Sequence, residues 1–201
     1  MGEMDIRVIK TIESIQESFL CCLSEVGFLN MTVKNITEKA RINRSTFYKY
    51  YADKYDLRDK YVDDVITDFV DHLDVAFLQM NEITLESYFE DLRNSLEAFW
   101  GKQREYLVLW SSNLQERNVF EEMIDGGVKK LVGEFEKNPN IRKTKRPYFS
   151  LYARLFLGNM MVSVRWWFTE GRQVSSDEFT RLMILHMGNG IYDTLRDGQQ
   201  R

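Results

Sequence analysis

The chain has 201 residues, with 27 Lys and Arg against 31 Asp and Glu, and so a formal net charge of −4. Its 44% hydrophobic and 29% charged content is that of an ordinary globular protein and excludes a disordered or fibrous chain. With 11 Gly and 2 Pro, it holds too few turn residues for an all-β fold, and its acidic total taken alone argues against a nucleic-acid partner.

Apolar residues that recur every three or four positions predict helices from the start of the chain. Capping residues mark their beginnings, since Thr32, Asn43 and Asp53 are good N-caps, and Gly27 ends the first helix. The helices predicted in this part are 6–26, 32–39, 44–50 and 53 to about 78.

The same periodicity continues to the C-terminus. The remaining predicted helices are about 84–100, 103–113, 117–137, 147–170 and 175 to about 196. A polar loop over 137–147 contains both prolines, and Ser175 with Glu178 has the spacing of a capping box. Gly126-Gly127 predicts a kink or a close approach of another helix. About nine helices with short connections predict an all-α fold.

Two short helices joined by a tight turn at Arg41-Ile42 predict a helix-turn-helix, in which the second helix enters the DNA major groove. Arg44, Ser45, Tyr48 and Lys49 crowd its outward face, and Phe47 anchors it. Lys54 is predicted in the first turn of the next helix, where a cation opposes the helix dipole. A phosphate contact is therefore the better interpretation of Lys54.

The stretch MTVKNITEKARINRSTFYKYYADKYDL, residues 31–57, resembles the DNA-binding domain of the tetracycline-repressor (TetR) family of bacterial regulators. The hydroxyl and aliphatic opening, the Thr-Phe-Tyr run and the Asp-Lys-x-x-Leu ending match in order and spacing. In the family, Gly usually occupies the turn between the two helices, whereas Ala40-Arg41 stands here. Either the turn differs slightly or a left-handed residue is tolerated at some strain.

The resemblance implies a homodimer that binds double-stranded DNA at a pseudo-palindromic operator. It also implies a DNA-binding domain at 1–53 and a helical effector-binding and dimerisation domain at 54–201. Carried over by position, the residues that reach base edges or nearby backbone are Lys34, Arg44, Ser45 and Tyr48. Those that hold phosphates are Thr32, Thr46, Lys49, Tyr50 and Lys54, although Tyr50 could equally be a packing residue.

Residues 154–183 are similar to the C-terminal part of a TetR-family branch common in low-GC Gram-positive bacteria. In the family the last two helices pair with those of the dimer mate. The residues predicted at this interface are Trp166, Trp167, Leu182 and Leu185, with one of the two tryptophans in the core. The residues predicted to line an effector cavity are Phe99, Trp110, Phe120, Met123, Phe156 and Met160, although such residues at helical spacing are also typical of core.

No catalytic motif is present, since the sequence contains no GxSxG, P-loop or GxGxxG. The adjacent Cys21 and Cys22 do not have metal-ligand spacing, so neither a metal nor a cofactor is expected. The N-terminus shows no apolar targeting segment, and no apolar run is long enough to span a membrane. A cytoplasmic protein is the expectation.

The charge distribution reverses the first inference from the acidic total. Residues 32–54 hold six basic and two acidic side chains, a net charge of +4, whereas residues 61–201 have a net charge of −5. A basic segment inside an acidic chain favours DNA binding. The sequence therefore predicts a DNA-binding regulator, typically a repressor released by a small molecule. The alternative is an interaction protein or activator of the same fold whose C-terminal domain binds a protein partner.

Overall fold

A computed structural model describes residues 5–73, 85–137 and 143–187 of the chain. These residues form nine α-helices and one 3₁₀ helix, which confirms the all-α prediction. The helices are α1 (Ile6–Asn30), α2 (Val33–Lys39), α3 (Arg44–Phe47), α4 (Lys54–His72), α5 (Leu85–Gly101), α6 (Gln103–Ser111), α7 (Val119–Lys137), α8 (Phe149–Thr169) and α9 (Ser176–Met187), with the 3₁₀ helix at Lys143–Tyr148. None of these helices is both long enough and apolar enough to cross a lipid bilayer.

The chain divides into two compact units. Unit 1 comprises the described residues up to Thr67 together with Arg104–Phe120, and unit 2 comprises those of Asp68–Gln103 and those from Glu121 onward. Unit 1 therefore holds α1 to α3, most of α4, and all of α6 except Gln103. The boundary predicted after residue 53 is a division by function and stays a prediction.

The core of unit 1 is aromatic. Phe19 is fully buried and packs edge-on against Phe28 and Tyr61, at centroid distances of 6.4 and 5.7 Å. Phe47 of α3 is also fully buried and lies 5.6 Å from the ring of Tyr51. Burial of aromatic surface on this scale supplies the main driving force for packing the helices of unit 1 together.

In unit 2, Gly127 of α7 marks a close approach to α8. A Cβ added there would lie 2.7 Å from a methyl carbon of Leu157 and 3.2 Å from one of Leu73. Of the two readings of Gly126-Gly127, the close approach is the one found, because α7 runs unbroken from Val119 to Lys137.

Several predicted bounds differ from the structure. α3 ends at Phe47, and residues 48–50 form turns. α4 ends at His72, about 28 Å from its start at ~1.5 Å per residue, and the predicted extension to residue 78 falls in 74–84, outside the described residues. Part of the predicted polar loop is the 3₁₀ helix at Lys143–Tyr148. The predicted end of the last helix near residue 196 also lies outside the described residues.

Candidate nucleic-acid interface

Helix α2 begins at a complete capping box. The amide of Asn35 donates to the Thr32 hydroxyl oxygen at 3.2 Å, and the Thr32 amide donates to Asn35 Oδ1 at 2.9 Å. Thr32 is thus the N-cap that the sequence predicts, and it is solvent-exposed. Two backbone donors that helix geometry leaves without an intrahelical partner are satisfied in this way.

The turn between α2 and α3 contains a left-handed residue. Arg41 has a φ of +54°, and its amide donates to the carbonyl of Glu38 at 3.3 Å. The neighbouring carbonyl of Ala40 accepts a hydrogen bond from the Ser14 hydroxyl of α1 at 3.3 Å. A residue other than glycine therefore occupies the left-handed position of this turn, at the steric cost of a Cβ in this region.

Replacing Arg41 by glycine is expected to raise the free energy of unfolding by up to about 1 kcal/mol, because glycine removes the Cβ clash but loses more backbone entropy. The matched control is Arg41→Ala, which removes the same charge and keeps the strain. Urea unfolding compares the two variants. Equal midpoints for glycine and alanine would show that the strain relieved at this turn does not exceed the backbone entropy that glycine loses, and would contradict the prediction.

Helix α3 presents a polar face and buries one anchor. Arg44, Ser45 and Lys49 are exposed, and the Tyr48 side chain is 55% exposed. The ring of Tyr48 stands perpendicular to that of the buried Phe47, at a centroid distance of 5.5 Å. The predicted cap at Asn43 differs in detail, because its carbonyl accepts from the Thr46 amide at 2.9 Å while its side chain makes no capping bond.

The other predicted contacts vary in exposure. Thr46 and Tyr50 are half-buried, whereas Lys34 on α2 is exposed and lies 3.7 Å from the Glu38 carboxylate. An exposed pair of this kind contributes little to stability, so Lys34 can turn to an anion at small cost. The Lys49 amide donates to the Thr46 carbonyl at 3.2 Å, but its ammonium makes no hydrogen bond or ion pair with any residue in the described part of the chain.

The premise that a structural role for Lys54 is weak is wrong. Its ammonium donates to the carbonyls of Phe28, Leu29 and Met31, at 2.9, 3.2 and 2.8 Å. A lysine at the N-terminus of α4 opposes that helix's dipole, but here the charge lies at the C-terminal end of α1, where a cation is favourable. The structural role that the sequence interpretation discounted is therefore present.

Arg58 is a structural residue of unit 1 that sequence reasoning missed. Its side chain is 8% exposed, Nε donates to Asp59 at 2.8 Å, and Nη1 donates to the Leu114 carbonyl at 3.1 Å. The hydrogen bond and charge of Arg58, with a smaller contribution from Arg117, lower the pKa of the Asp59 carboxyl below its usual value. Arg58 and Leu114 are 56 residues apart, so no local sequence pattern predicts this contact.

The predicted cavity residues fall into two groups. Phe99, Met123, Phe156 and Met160 are all buried in unit 2. Trp110 and Phe120 belong to unit 1, where their rings meet edge to face at 5.2 Å. A groove of about 390 Å³ that the structure describes lies elsewhere in unit 1, between the end of α1 and residues 108–113.

The predicted interface residues also divide. Trp166, Leu182 and Leu185 are exposed, by 41, 51 and 65%. Trp167 is not a surface residue, because it is 2% exposed, stacks on Phe179 at 4.5 Å and donates through Nε1 to the Val174 carbonyl at 2.9 Å. Its assignment to the interface is therefore corrected to core, in line with the expectation that one tryptophan of the pair is buried.

Comparison with known proteins shows which family the helix-turn-helix segment resembles. Residues 21–61 match the model of the tetR family of bacterial regulatory proteins. The chain is 35% identical over 97 residues to the HTH-type transcriptional regulator YxbF of Bacillus subtilis, across 48% of this chain and 25% of YxbF. The chain thus spans a quarter of the length of this curated relative.

Solved structures share the fold. A TetR-family transcriptional regulator of Syntrophomonas wolfei superposes with a TM-score of 0.64 at 16% identity, over 92% of this chain and 96% of that one. SmeT in complex with triclosan superposes with a TM-score of 0.61 at 15% identity, over 90% of this chain and 93% of that one. The helix-turn-helix, the matched segment and this fold define a TetR-type DNA-binding domain. The similarity to the tetR family of bacterial regulatory proteins is thus shown for the segment that carries this domain, residues 21–61.

Proposed function

We propose that this chain is a homodimeric, cytoplasmic transcription regulator that binds a specific DNA sequence through residues 1–53. Residues 54–201 pair with a second copy and bind a small molecule that releases the DNA, so the protein acts as a repressor and not as an enzyme. The observation that carries the proposal is the exposed polar face of α3 and the turn that follows it, with Arg44, Ser45, Tyr48 and Lys49 around the buried Phe47.

The chemistry of that face suits a DNA groove. An α-helix with its side chains is about 10–12 Å wide, and the B-DNA major groove is about 12 Å wide. Arg44 offers a guanidinium fork for guanine O6 and N7, and Ser45 offers a hydroxyl for a base edge or phosphate. Lys49 and Lys34 supply mobile cations for phosphates. The net charge of +4 over residues 32–54 adds the attraction that underlies non-specific binding.

Selection from a random pool of double-stranded DNA tests the proposal. The purified full chain is expected to enrich one sequence made of two inverted half-sites, because a two-fold dimer presents two identical heads. Enrichment of no sequence would refute DNA recognition. A reporter under the selected operator then gives the sign of regulation, since loss of a repressor raises expression.

An exposed apolar face on α8 and α9 supports the proposed dimer. Leu151, Leu155, Val162 and Trp166 follow one another at steps of four, seven and four, which places them on one side of α8, and each is at least 41% exposed. Leu182 and Leu185 are exposed on α9. A contiguous apolar surface of this kind marks an interaction site in a globular protein.

Replacing Leu155 and Val162 together by glutamate is expected to halve the mass measured by light scattering at micromolar concentration, because two copies would then bury carboxylates against each other. Operator affinity should fall as the half-sites are bound singly. The matched control is Ile6→Glu, which charges a 66% exposed residue of α1. A double variant that keeps the mass of a dimer would place the interface elsewhere.

Buried aromatic and sulfur side chains in unit 2 support an effector site. We place it among Phe99, Met123, Phe156 and Met160, where Met side chains can adapt to an apolar guest. The structure of SmeT with triclosan documents an aromatic molecule bound to a protein of this fold. An effector of this chain must bind the DNA-free form more tightly than the DNA-bound form, since equal affinity shifts nothing.

The small-molecule proposal is separable from the protein-partner alternative. An extract of cells of the native host is fractionated and added to the complex of protein and labelled operator. Release by a protease-resistant fraction that passes a small-molecule filter supports an effector. If a protease-sensitive fraction instead releases the operator, or adds mass to the complex of protein and operator, the result supports a protein partner.

A further inference from the structure

The ammonium of Lys54 is saturated with hydrogen bonds inside unit 1. A lysine ammonium has three N–H donors, and three carbonyl oxygens accept from this one at 2.8 to 3.2 Å. The same nitrogen lies 4.9 Å from the ring centroid of Phe28 and 5.4 Å from that of Tyr55. Contact with a phosphate would require the ammonium to give up one of these carbonyls.

The three carbonyls belong to one short piece of chain. Regular α1 geometry ends at Gly27, whose φ of 72° and ψ of 161° turn the backbone out of the helix. The segment from Phe28 to Met31 then leads directly into the Thr32 cap of α2. Carbonyls at the end of a helix have no intrahelical partner, so this segment depends on an outside donor.

That donor comes from far along the chain. Lys54 is 23 to 26 residues away from its acceptors, on the first turn of α4. It therefore joins the beginning of α4 to the residues that determine where α2 begins. Because the Ile42 amide donates to the Thr37 carbonyl at 3.1 Å, the placement of α2 also affects the turn and α3.

We propose that Lys54 is a positioning residue for DNA recognition, which orients α2 and α3 through the carbonyls of residues 28–31 and does not bind phosphate. This inference rests on the proposed function for its effect on DNA, but the contact itself can be tested without DNA. Lys49, which is exposed and unpaired among the described residues, is the matched lysine for a phosphate contact.

The salt dependence of binding separates the two roles. Each phosphate contact contributes about 0.9 to the slope of log affinity against log salt concentration on duplex DNA. The slope is negative, and we expect Lys49→Met to make it shallower by about that amount. Lys54→Met should keep the wild-type slope and weaken binding to the selected operator about tenfold, while its affinity for a scrambled duplex stays unchanged.

Other outcomes have distinct meanings. A slope for Lys54→Met that falls like that of Lys49→Met would overturn the inference and restore the phosphate contact. A mere loss of folded protein would lower the affinity for operator and scrambled duplex equally, and would also contradict a positioning role. Lys54→Arg should recover part of the operator affinity, because a guanidinium can donate to two of the carbonyls. If methionine prevents folding, Lys54→Gln takes its place in the comparison.

Amide hydrogen exchange followed by mass spectrometry tests the contact independently of DNA. Lys54→Met is expected to speed exchange in peptides that cover residues 28–37, and Lys60→Met is not. Lys60 is the control because it lies on the same helix, 54% exposed, and pairs with Asp56 at 2.9 Å. Unchanged exchange in Lys54→Met would overturn the inference even if selection finds no operator, whereas absent selection alone overturns only the proposed function.

Discussion

Replacing Tyr48 by alanine is expected to lower the affinity for the selected operator by about 1–3 kcal/mol, or roughly 5- to 150-fold, the range of one good base contact. Tyr48 is 55% exposed and meets the ring of Phe47 in a T-shaped pair, so much of its surface is available to a partner. The loss in stability should stay near 1 kcal/mol, the size of an edge-to-face pair. Fluorescence anisotropy with the operator and urea unfolding measure the two effects.

Two variants sharpen the Tyr48 result. Tyr48→Phe keeps the ring and removes the hydroxyl, so it separates an apolar contact from a hydrogen bond. Tyr148→Ala deletes a tyrosine of similar exposure, 52%, in unit 2, and should leave operator affinity as it is. If Tyr48→Ala binds like the wild type, the exposed side of α3 is not the recognition surface, and the placement of Arg44 and Ser45 there also loses its support.

Local patterns predicted the DNA-binding elements well, because each rests on interactions within a few residues. The Thr32 cap bonds to Asn35, three residues on, and the Asp53 carboxylate accepts from the amides of Tyr55 and Asp56, both at 2.8 Å. The buried position of Phe47 follows from apolar spacing. The length of α3 was less predictable, since residues 48–50 continue in turns whose bonds resemble those of a helix end.

Contacts between distant residues explain what sequence reasoning missed. Lys54 opposes the dipole of its own helix and is useful only because α1 ends beside it. Lys130 repeats this chemistry in unit 2, where its ammonium donates to the carbonyls of Val70 and Asp71 at the end of α4, at 2.6 and 3.1 Å. A charged residue that looks misplaced on its own helix can therefore cap another one, and only the tertiary structure identifies the partner.

Adjacent residues on one helix illustrate a second limit. Trp166 and Trp167 point to different sides of α8, and the sequence indicates that one is buried without saying which. Trp167 is the buried one because two groups beyond the end of α8 contact it: the ring of Phe179 stacks on it, and the Val174 carbonyl accepts its Nε1–H. Trp166 then remains on the exposed apolar face with Val162, as the dimer proposal requires.

Replacing Arg58 by methionine is expected to lower the free energy of unfolding by about 3 kcal/mol. The Leu114 carbonyl loses a hydrogen bond from a charged donor, which is worth about 1.5–3 kcal/mol. The guanidinium also lies 5.2 Å from the ring centroid of Phe28 and 5.4 Å from that of Tyr55, contacts worth about 0.5–2 kcal/mol. Urea unfolding at pH 7 measures the change, and Arg58→Lys, which keeps the charge without the fork, should fall between methionine and the wild type.

The free energy of unfolding at acidic pH gives the Arg58 prediction an independent check. Because Arg58 lowers the pKa of Asp59 in the folded state, the pair adds stability that is present above the unfolded carboxyl pKa of about 3.9. That contribution disappears as pH falls through the lower folded pKa. The difference between the wild type and Arg58→Met should therefore narrow below about pH 4, although only modestly, since Asp59 is 44% exposed and screened by solvent. A difference that stays constant down to pH 2 would show that the Leu114 carbonyl and the aromatic rings account for the whole effect and that the ion pair adds nothing.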